Sequence, residues 1–529
     1  MNRKQASLQL LSMAGGLLSA LAWFQCCSGL ILLVSFIPLF LIARTEIDED
    51  NRYGERLMFI RLLPGFAVFN IVSIAWIRIA GIPLLITAIT ANTFLMTFTF
   101  WLAWLVKRRA GKVTGNAAFI VFWLTMEYLT NHVSWFSPWL NLGNGLAKNS
   151  SLIQWYEFTG AAGGTLWILI TNMVLASLIA SIKPANIIRK ITVIAATAIP
   201  LILIPPALSL HIGRRVTESS LPPIEVAVIQ PNIDPYSEKF DSPTAGQIQK
   251  VLSLAESTIT PHTRWIVIAE TTIPETVMLN GADTNRHIAS ITAFLQNHPD
   301  ALFIAGAVTS SGENSLHNSA ILISSAGSGD IYHKSKLVPG IEGSLTGIIS
   351  VLQYLFPDLG GTAGGYTGQK TPTLLHAPDG SAAAAPVICF ESAFGGYVAQ
   401  FVRRGASFLA IITNDGWWKG TMGYYQHLNF SRLRAIENRR PVVRTANTGV
   451  SAIIDIKGNI TESISWWTEG TIISTITPGN RLTFYTRNGD LIMRIALAVS
   501  LFILTIHMVA IPLRKKINLK KNHRNMQPL

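Results

Sequence analysis

Apolar residues follow two different rhythms along this chain. Up to about residue 210 they run in nearly unbroken stretches, and from Ile224 they recur as short β-branched runs cut by polar or glycine-containing turns. Stretches of about 20 apolar residues match the thickness of a hydrocarbon core. Such stretches lie at about 8–24, 28–44, 57–77, 82–106, 116–131, 164–182 and 191–210, with an eighth at about 490–513. The first two are short and nearly continuous, so a helical hairpin is expected there. The fifth contains Glu127, and a carboxylate inside a span is expected to face protein or water rather than lipid.

The second rhythm predicts strands at Ile224–Ile229, Trp265–Ala269, Ala301–Val308, Ser319–Ser324, Pro386–Phe390, Phe408–Thr413 and Val450–Ile456. Helical patterns at Thr244–Thr258, Asn285–Gln296, Gly395–Arg404 and Gln426–Arg439 lie between several of them. Strands alternating with helices indicate a layered α/β domain, in which reactive groups gather beyond the carboxyl ends of strands. The chain therefore divides into a membrane domain at 1–212, an α/β domain at 213–488, and a last span with a basic tail at 489–529.

Composition sharpens this division. With 49% hydrophobic residues over 529, the chain is too apolar for an ordinary soluble enzyme. A formal net charge of +13 would suit nucleic acid, but the basic residues cluster beside the predicted spans: Arg3 and Lys4, Lys107 to Lys112, Lys183 to Lys190, and Arg514 to Arg524. Seven spans before the α/β domain and one after it put all four clusters on one side. The positive-inside rule makes that side cytoplasmic, with both termini. Residues 213–488 then face the opposite side, the periplasm of a bacterium, and no nucleic-acid partner is expected. Trp23-Phe24-Gln25 lacks the small residues of a cleavage site, so the first stretch reads as a retained span.

Three cysteines are present. Cys26 and Cys27 fall in the turn between the first two spans. Cys389 is alone in the α/β domain, where it has no partner for an internal disulfide. It ends a β-branched run and is followed by Phe390 and Glu391, the position of a nucleophile presented at a strand end. Glu270 ends a second strand and Lys334 follows a third segment, Gly329 to His333. Carboxylate, ammonium and thiol form a workable acyl-transfer set: base, oxyanion-stabilising cation and nucleophile. No Walker loop, dinucleotide fingerprint or His/Cys ligand cluster occurs, so no cofactor or metal is expected.

These residues carry a resemblance. Glu270, then Tyr332-His333-Lys334-Ser335-Lys336-Leu337-Val338-Pro339 with Glu342, then Val387-Ile388-Cys389-Phe390-Glu391, resemble the nitrilase superfamily and its Glu-Lys-Cys triad. The segments Thr413 to Trp417, Arg434 to Pro441 and Arg444 to Gly449 resemble later blocks of that family. Lys334 and Lys336 are both plausible by proximity, and the resemblance, whose lysine motif Lys334 and Glu342 match, implies Lys334; the likeness covers most of 224–475. Joined to seven spans before it and one after, the whole resembles the apolipoprotein N-acyltransferase family.

The resemblance implies a multi-pass α-helical membrane domain plus an α/β nitrilase-like αββα sandwich domain, in a bacterial inner membrane. It implies a phospholipid acyl donor, a diacylated apolipoprotein acceptor and the lipid bilayer as partners, and a thioester on Cys389. Nothing in the chain demands a second subunit, so a monomer is expected. Glu270 would be base and acid with a pKa raised by burial, and Lys334 would lower the thiol pKa and share the oxyanion with the Phe390 amide. Glu342 and Glu391 would support the site or position substrate. Phe390 and Phe240 replace aromatics usual in the family, often tyrosine and tryptophan. Ile348–Phe356 and Trp417–Tyr425 are unusually apolar for a domain facing water, and glycines near them suit a moving lid. Trp135, Trp139, Trp155 and Tyr156 suit an interfacial aromatic loop. The competing readings are a membrane-anchored amidohydrolase, in which water resolves the thioester, and a transporter whose outer domain only binds.

Overall fold

A computed structural model describes residues 3–48, 54–181, 187–312, 315–343 and 365–507. Ile348–Phe356, one of the two apolar segments, lies outside the described residues.

The first rhythm folds as helices. Among the described residues, four are long and apolar enough to cross a membrane: Gly54–Ile79, Ile82–Ala110, Ala161–Ile179 and Thr192–Arg215. Gly29–Thr45 and Leu491–Thr505 are shorter apolar helices. Arg3–Leu21 and Lys112–His132 are also helical. Glu127 faces protein: its carboxylate accepts from Leu142 N at 2.8 Å, Thr165 Oγ1 at 2.7 Å and Trp123 Nε1 at 3.2 Å. Gly143 is required where the chain meets the next helix, since a Cβ there would sit 1.9 Å from the Ala161 carbonyl oxygen. The aromatic loop differs from expectation. Trp135 is exposed, but Trp139, Trp155 and Tyr156 are buried in protein packing.

The second rhythm folds as two facing sheets. The first holds β1 (Ile224–Gln230), β2 (Thr263–Ile268), β3 (Ile273–Met278), β4 (Leu302–Ser310), β5 (Leu316–Ser324) and β6 (Gly327–His333). The second holds β7 (Leu375–His376), β8 (Ala383–Ile388), β9 (Phe408–Thr413), β10 (Val442–Ala446), β11 (Ser451–Ile454) and β12 (Ile460–Ile464), after which β13 (Gly470–Ile476) returns to the first. The orders are β13-β1-β2-β4-β5-β6, with β3 on β4, and β12-β11-β10-β9-β8-β7. The strands β1, β2 and β4 run parallel, as do β8, β9 and β10.

Side-chain alternation explains the layers. Val226, Val228, Trp265, Val267, Leu302 and Ile304 face the second sheet. Their neighbours Ala227, Ile229, Ile266, Ile268, Phe303 and Ala305 pack under the helices Thr244–Glu256 and Arg286–Gln296. With both faces covered, these strands read as continuous apolar runs. Gly395–Arg403 and Met422–Asn438 cover the outer face of the second sheet, completing an αββα sandwich. The core continues into the membrane domain, where Trp139 meets Phe430 edge-on at 4.8 Å.

Candidate active site

Strand ends bring the candidate residues together. Glu270 follows β2, Lys334 follows β6 and Cys389 follows β8, so two come from one sheet and Cys389 from the other. All three line one cavity of about 110 Å³ with Glu342, Phe240 and Trp417. Cys389 has φ +50°, in the left-handed region that a residue with a Cβ seldom adopts. That sharp exit from β8 carries the chain straight into a turn of 3₁₀ helix at Cys389–Ala393.

The charged groups interlock. Lys334 Nζ, 1% exposed, donates to Glu270 Oε1 at 3.0 Å and to Glu342 Oε1 at 2.8 Å. Asn318 Nδ2 reaches the same two oxygens at 2.8 and 2.9 Å. The second oxygen of Glu270 accepts from Asn414 N at 3.2 Å, and that of Glu342 from Val338 N at 2.9 Å. Behind Glu270, Lys239 Nζ donates to its backbone carbonyl at 2.9 Å. Burial pushes the Lys239 ammonium down to about 8, against the pull of Glu270.

Two electrostatic expectations are corrected here. Burial does work to raise the Glu270 carboxyl, but the Lys334 charge, with hydrogen bonds from Asn318 and Lys334, outweighs it and holds the carboxyl below its ordinary range. Burial pushes the Cys389 thiol up, and the Glu270 charge adds to this; Lys334 pulls it down without winning. Burial also opposes the Lys334 charge, yet Glu270 and Glu342 hold it well above the usual lysine range. The resting site is therefore carboxylate, ammonium and neutral thiol. A base that is ionised beside a protonated nucleophile is ready to take its proton.

Glu391 does not line this cavity. It is fully buried under the turn that bears Cys389, where it accepts from Tyr332 Oη at 2.5 Å, Ser335 N at 2.7 Å, Lys336 N at 3.1 Å and Ile388 N at 2.9 Å. It thereby ties the cysteine turn to the lysine loop. Phe390 lies parallel to Trp139 at 6.4 Å and edge-on to Phe394 at 5.1 Å. Phe240 stacks on Trp417 at 6.2 Å beside the cavity.

Sequence reasoning missed several residues. Asn318, Asn414 and Lys239 were given no role, although Asn414 falls in the Thr413–Trp417 block and a lone amide inside β5 was a signal for Asn318. It also gave no role to a buried cluster beneath Cys389, although Asp415 and Arg444 fall in two of the blocks that carry the resemblance. There His427 Nε2 lies 2.9 Å from the Cys389 carbonyl oxygen and its Nδ1 lies 2.9 Å from Asp415, which also pairs with Arg444. The membrane domain supplies part of the wall: Ala80 lines the cavity, and Trp76 and Trp139 pack on Trp418 at 5.5 and 5.9 Å.

Comparison with known proteins matches both halves. The carbon-nitrogen hydrolase family matches residues 225–481, and the apolipoprotein N-acyltransferase N-terminal domain matches 15–174. The apolipoprotein N-acyltransferase of Chlorobaculum tepidum is 27% identical over 88% of this chain and 90% of its own length. That of Geobacter metallireducens is 27% identical over 89% and 88%, and that of Bradyrhizobium diazoefficiens 28% over 81% and 79%. Among solved structures, Saccharomyces cerevisiae Nit3, of the nitrilase superfamily, aligns at 16% identity over 48% of this chain and 90% of its own, with a TM-score of 0.36. Carrying both domains in order and matching these relatives along most of its length, the chain belongs to the apolipoprotein N-acyltransferase family.

Proposed function

We propose that this chain moves a fatty acyl group from a membrane phospholipid, through a thioester on Cys389, to the N-terminal amine of the diacylglyceryl-cysteine of apolipoproteins. The observation that carries the reading is the cavity itself: a buried Glu270–Lys334 pair and a lone thiol share a small enclosure whose wall is partly membrane domain. A soluble amide's hydrolase has no use for such a wall.

In the first half-reaction the Glu270 carboxylate takes the Cys389 proton as sulfur attacks the ester carbonyl. The tetrahedral oxyanion is stabilised by the Lys334 ammonium and the Phe390 N–H. Collapse breaks the ester C–O bond, and the proton on Glu270 passes to the leaving glycerol oxygen, giving a lysophospholipid. In the second half the acceptor amine attacks the thioester while Glu270 removes its proton, the C–S bond breaks, and the proton returns to sulfur. Ester to thioester to amide ends downhill and consumes no nucleotide. Removing one oxyanion donor costs on the order of 100- to 1,000-fold in rate, which sets the expected loss for Lys334→Met. Glu342 holds Lys334 in place, and Phe240 and Trp417 flank the acyl entrance. The reading also places the chain in a bacterial inner membrane as a monomer, with eight spans, both termini cytoplasmic and residues 213–488 in the periplasm.

The test is intact-protein mass spectrometry after exposing the purified chain to a defined phospholipid. An acyl adduct on Cys389 that discharges onto an added diacylated lipopeptide is expected. Release of free fatty acid with no acylated lipopeptide would make the chain a hydrolase instead, and unchanged function in Cys389→Ser would make it a non-enzyme.

A further inference from the structure

A second cavity, of about 570 Å³, shares no lining residue with the one that holds Cys389. It lies where the α/β domain meets the ends of two helices, Lys112–His132 and the apolar Leu491–Thr505. These helices run antiparallel: Asn131 Nδ2 meets Met493 Sδ at 3.4 Å, and Thr125 meets Ser500 at 2.8 Å. The cavity is therefore at the boundary of the apolar zone, on the catalytic-domain side.

Its charge is lopsided. Lys336, Arg403, Arg487 and Arg494 line it against one carboxylate, Asp490. Asp490 already accepts the Tyr485 hydroxyl at 2.8 Å. Three of the four cations are held by neutral partners: Arg403 by the Thr486 carbonyl at 2.9 Å, Arg494 by the Asn488 carbonyl, and Lys336 over the Phe394 ring at 5.1 Å. Partial burial pulls the Arg403 guanidinium below its ordinary range, with Arg404 and Arg494 adding to the pull and Tyr485 and Asp490 opposing it. Four cations so placed repel one another unless an anion enters between them.

The surface below the cavity is of opposite character. Ile495, Leu501 and Phe502 on Leu491–Thr505 are 55%, 57% and 65% exposed, and Leu129 on the neighbouring helix is 40% exposed. A ligand that satisfies both surfaces has an anionic head and apolar tails. We propose that this cavity binds the phosphate of a phospholipid whose acyl chains lie along the exposed face of Leu491–Thr505, at a site separate from the one that acylates Cys389. The proposal rests on these two helices lying in a bilayer and is independent of which lipid donates the acyl chain. Lys336 gives the site a line to the chemistry, because its N–H donates to Glu391 beneath the cysteine turn.

The test uses the full chain in neutral detergent with phosphatidylglycerol as probe, read by native mass spectrometry. Each basic residue near a membrane surface contributes about fivefold to affinity, so Arg487→Ala with Arg494→Ala should weaken retention about 25-fold. The charge-keeping pair Arg487→Lys with Arg494→Lys should retain most of the lipid, which separates lost charge from lost fold. Equal retention by the alanine pair would overturn the proposal. So would displacement of the lipid by millimolar inorganic phosphate, which would mark a site for free anions.

Discussion

Glu270 and Lys334 are held apart in pKa, and the separation fixes how the site should respond to pH. Glu270 lies below its ordinary range, so the stability its charge contributes is present above that range and is lost as pH falls through the folded value. Lys334 lies above its range, so its contribution is complete below the usual lysine value and fades only as pH rises past the folded one. Both groups are charged between those limits, and the raised thiol adds no thiolate within them. Single-turnover acylation of Cys389 should therefore show a Glu270 limb only on the acid side of about pH 6, any change at higher pH belonging to Glu391, which burial raises to about 7, and to Lys239, which burial lowers to about 8. Asn318→Ala removes a hydrogen bond to the ionised Glu270, worth about 1.5–3 kcal/mol, and should move the acid limb up by about 1–2 pH units. An acid limb that Asn318→Ala leaves in place would refute the charge assignment. At this scale the three candidates were legible in the sequence because each lies at or just beyond the end of a strand. It hid the direction of the Glu270 shift, because the sequence could not weigh burial against the Lys334 charge, and because Asn318 and Lys239, which add to that charge, approach from elements remote in the chain.

The cysteine turn is an element whose shape depends on one buried carboxylate. Cys389 leaves β8 with positive φ, and Glu391 collects four donors from β6, the lysine loop and β8 itself. Glu391→Ala would strand those donors in the interior at about 1–3 kcal/mol each. A loss of at least about 3 kcal/mol is expected by thermal or denaturant unfolding, together with loss of the acyl adduct. Near-normal stability would show that the turn holds itself. The four helical patterns of the α/β domain were readable to within a few residues, and so were the strands with continuous apolar runs. The strand β10 was not, because Arg444 and Thr445 interrupt Val442-Val443 with polar groups that are fully buried against Asp415 and β2. The strand β12 was equally hidden, its first four residues being exposed at the sheet edge.

At the scale of the molecule, what matters is that the catalytic sandwich and the helical domain share a buried polar seam. Arg439 reaches out of the sandwich to Glu157 Oε2 at 2.7 Å and to Gln154 at 2.6 and 2.8 Å. Gln426 accepts both Trp76 Nε1 and Trp139 Nε1, at 3.1 and 2.6 Å. No local pattern could have shown these pairs, since their members are separated by hundreds of residues, whereas composition alone was enough to separate the two domains. The seam fixes the cavity wall, because Trp139 and Trp76 meet Trp418 beside Cys389. Arg439→Ala would leave the Glu157 carboxylate buried without its cation, a change that typically costs about 3–5 kcal/mol. If the seam couples the domains, calorimetry of the reconstituted wild type should give one transition, and the variant should melt earlier with the sandwich and the helices separating into two. Acylation of Cys389 should fall with that separation even at temperatures where the sandwich remains folded, because the wall beside Cys389 would no longer be held against it. A variant that keeps a single transition at the wild-type temperature would show that the two domains only touch.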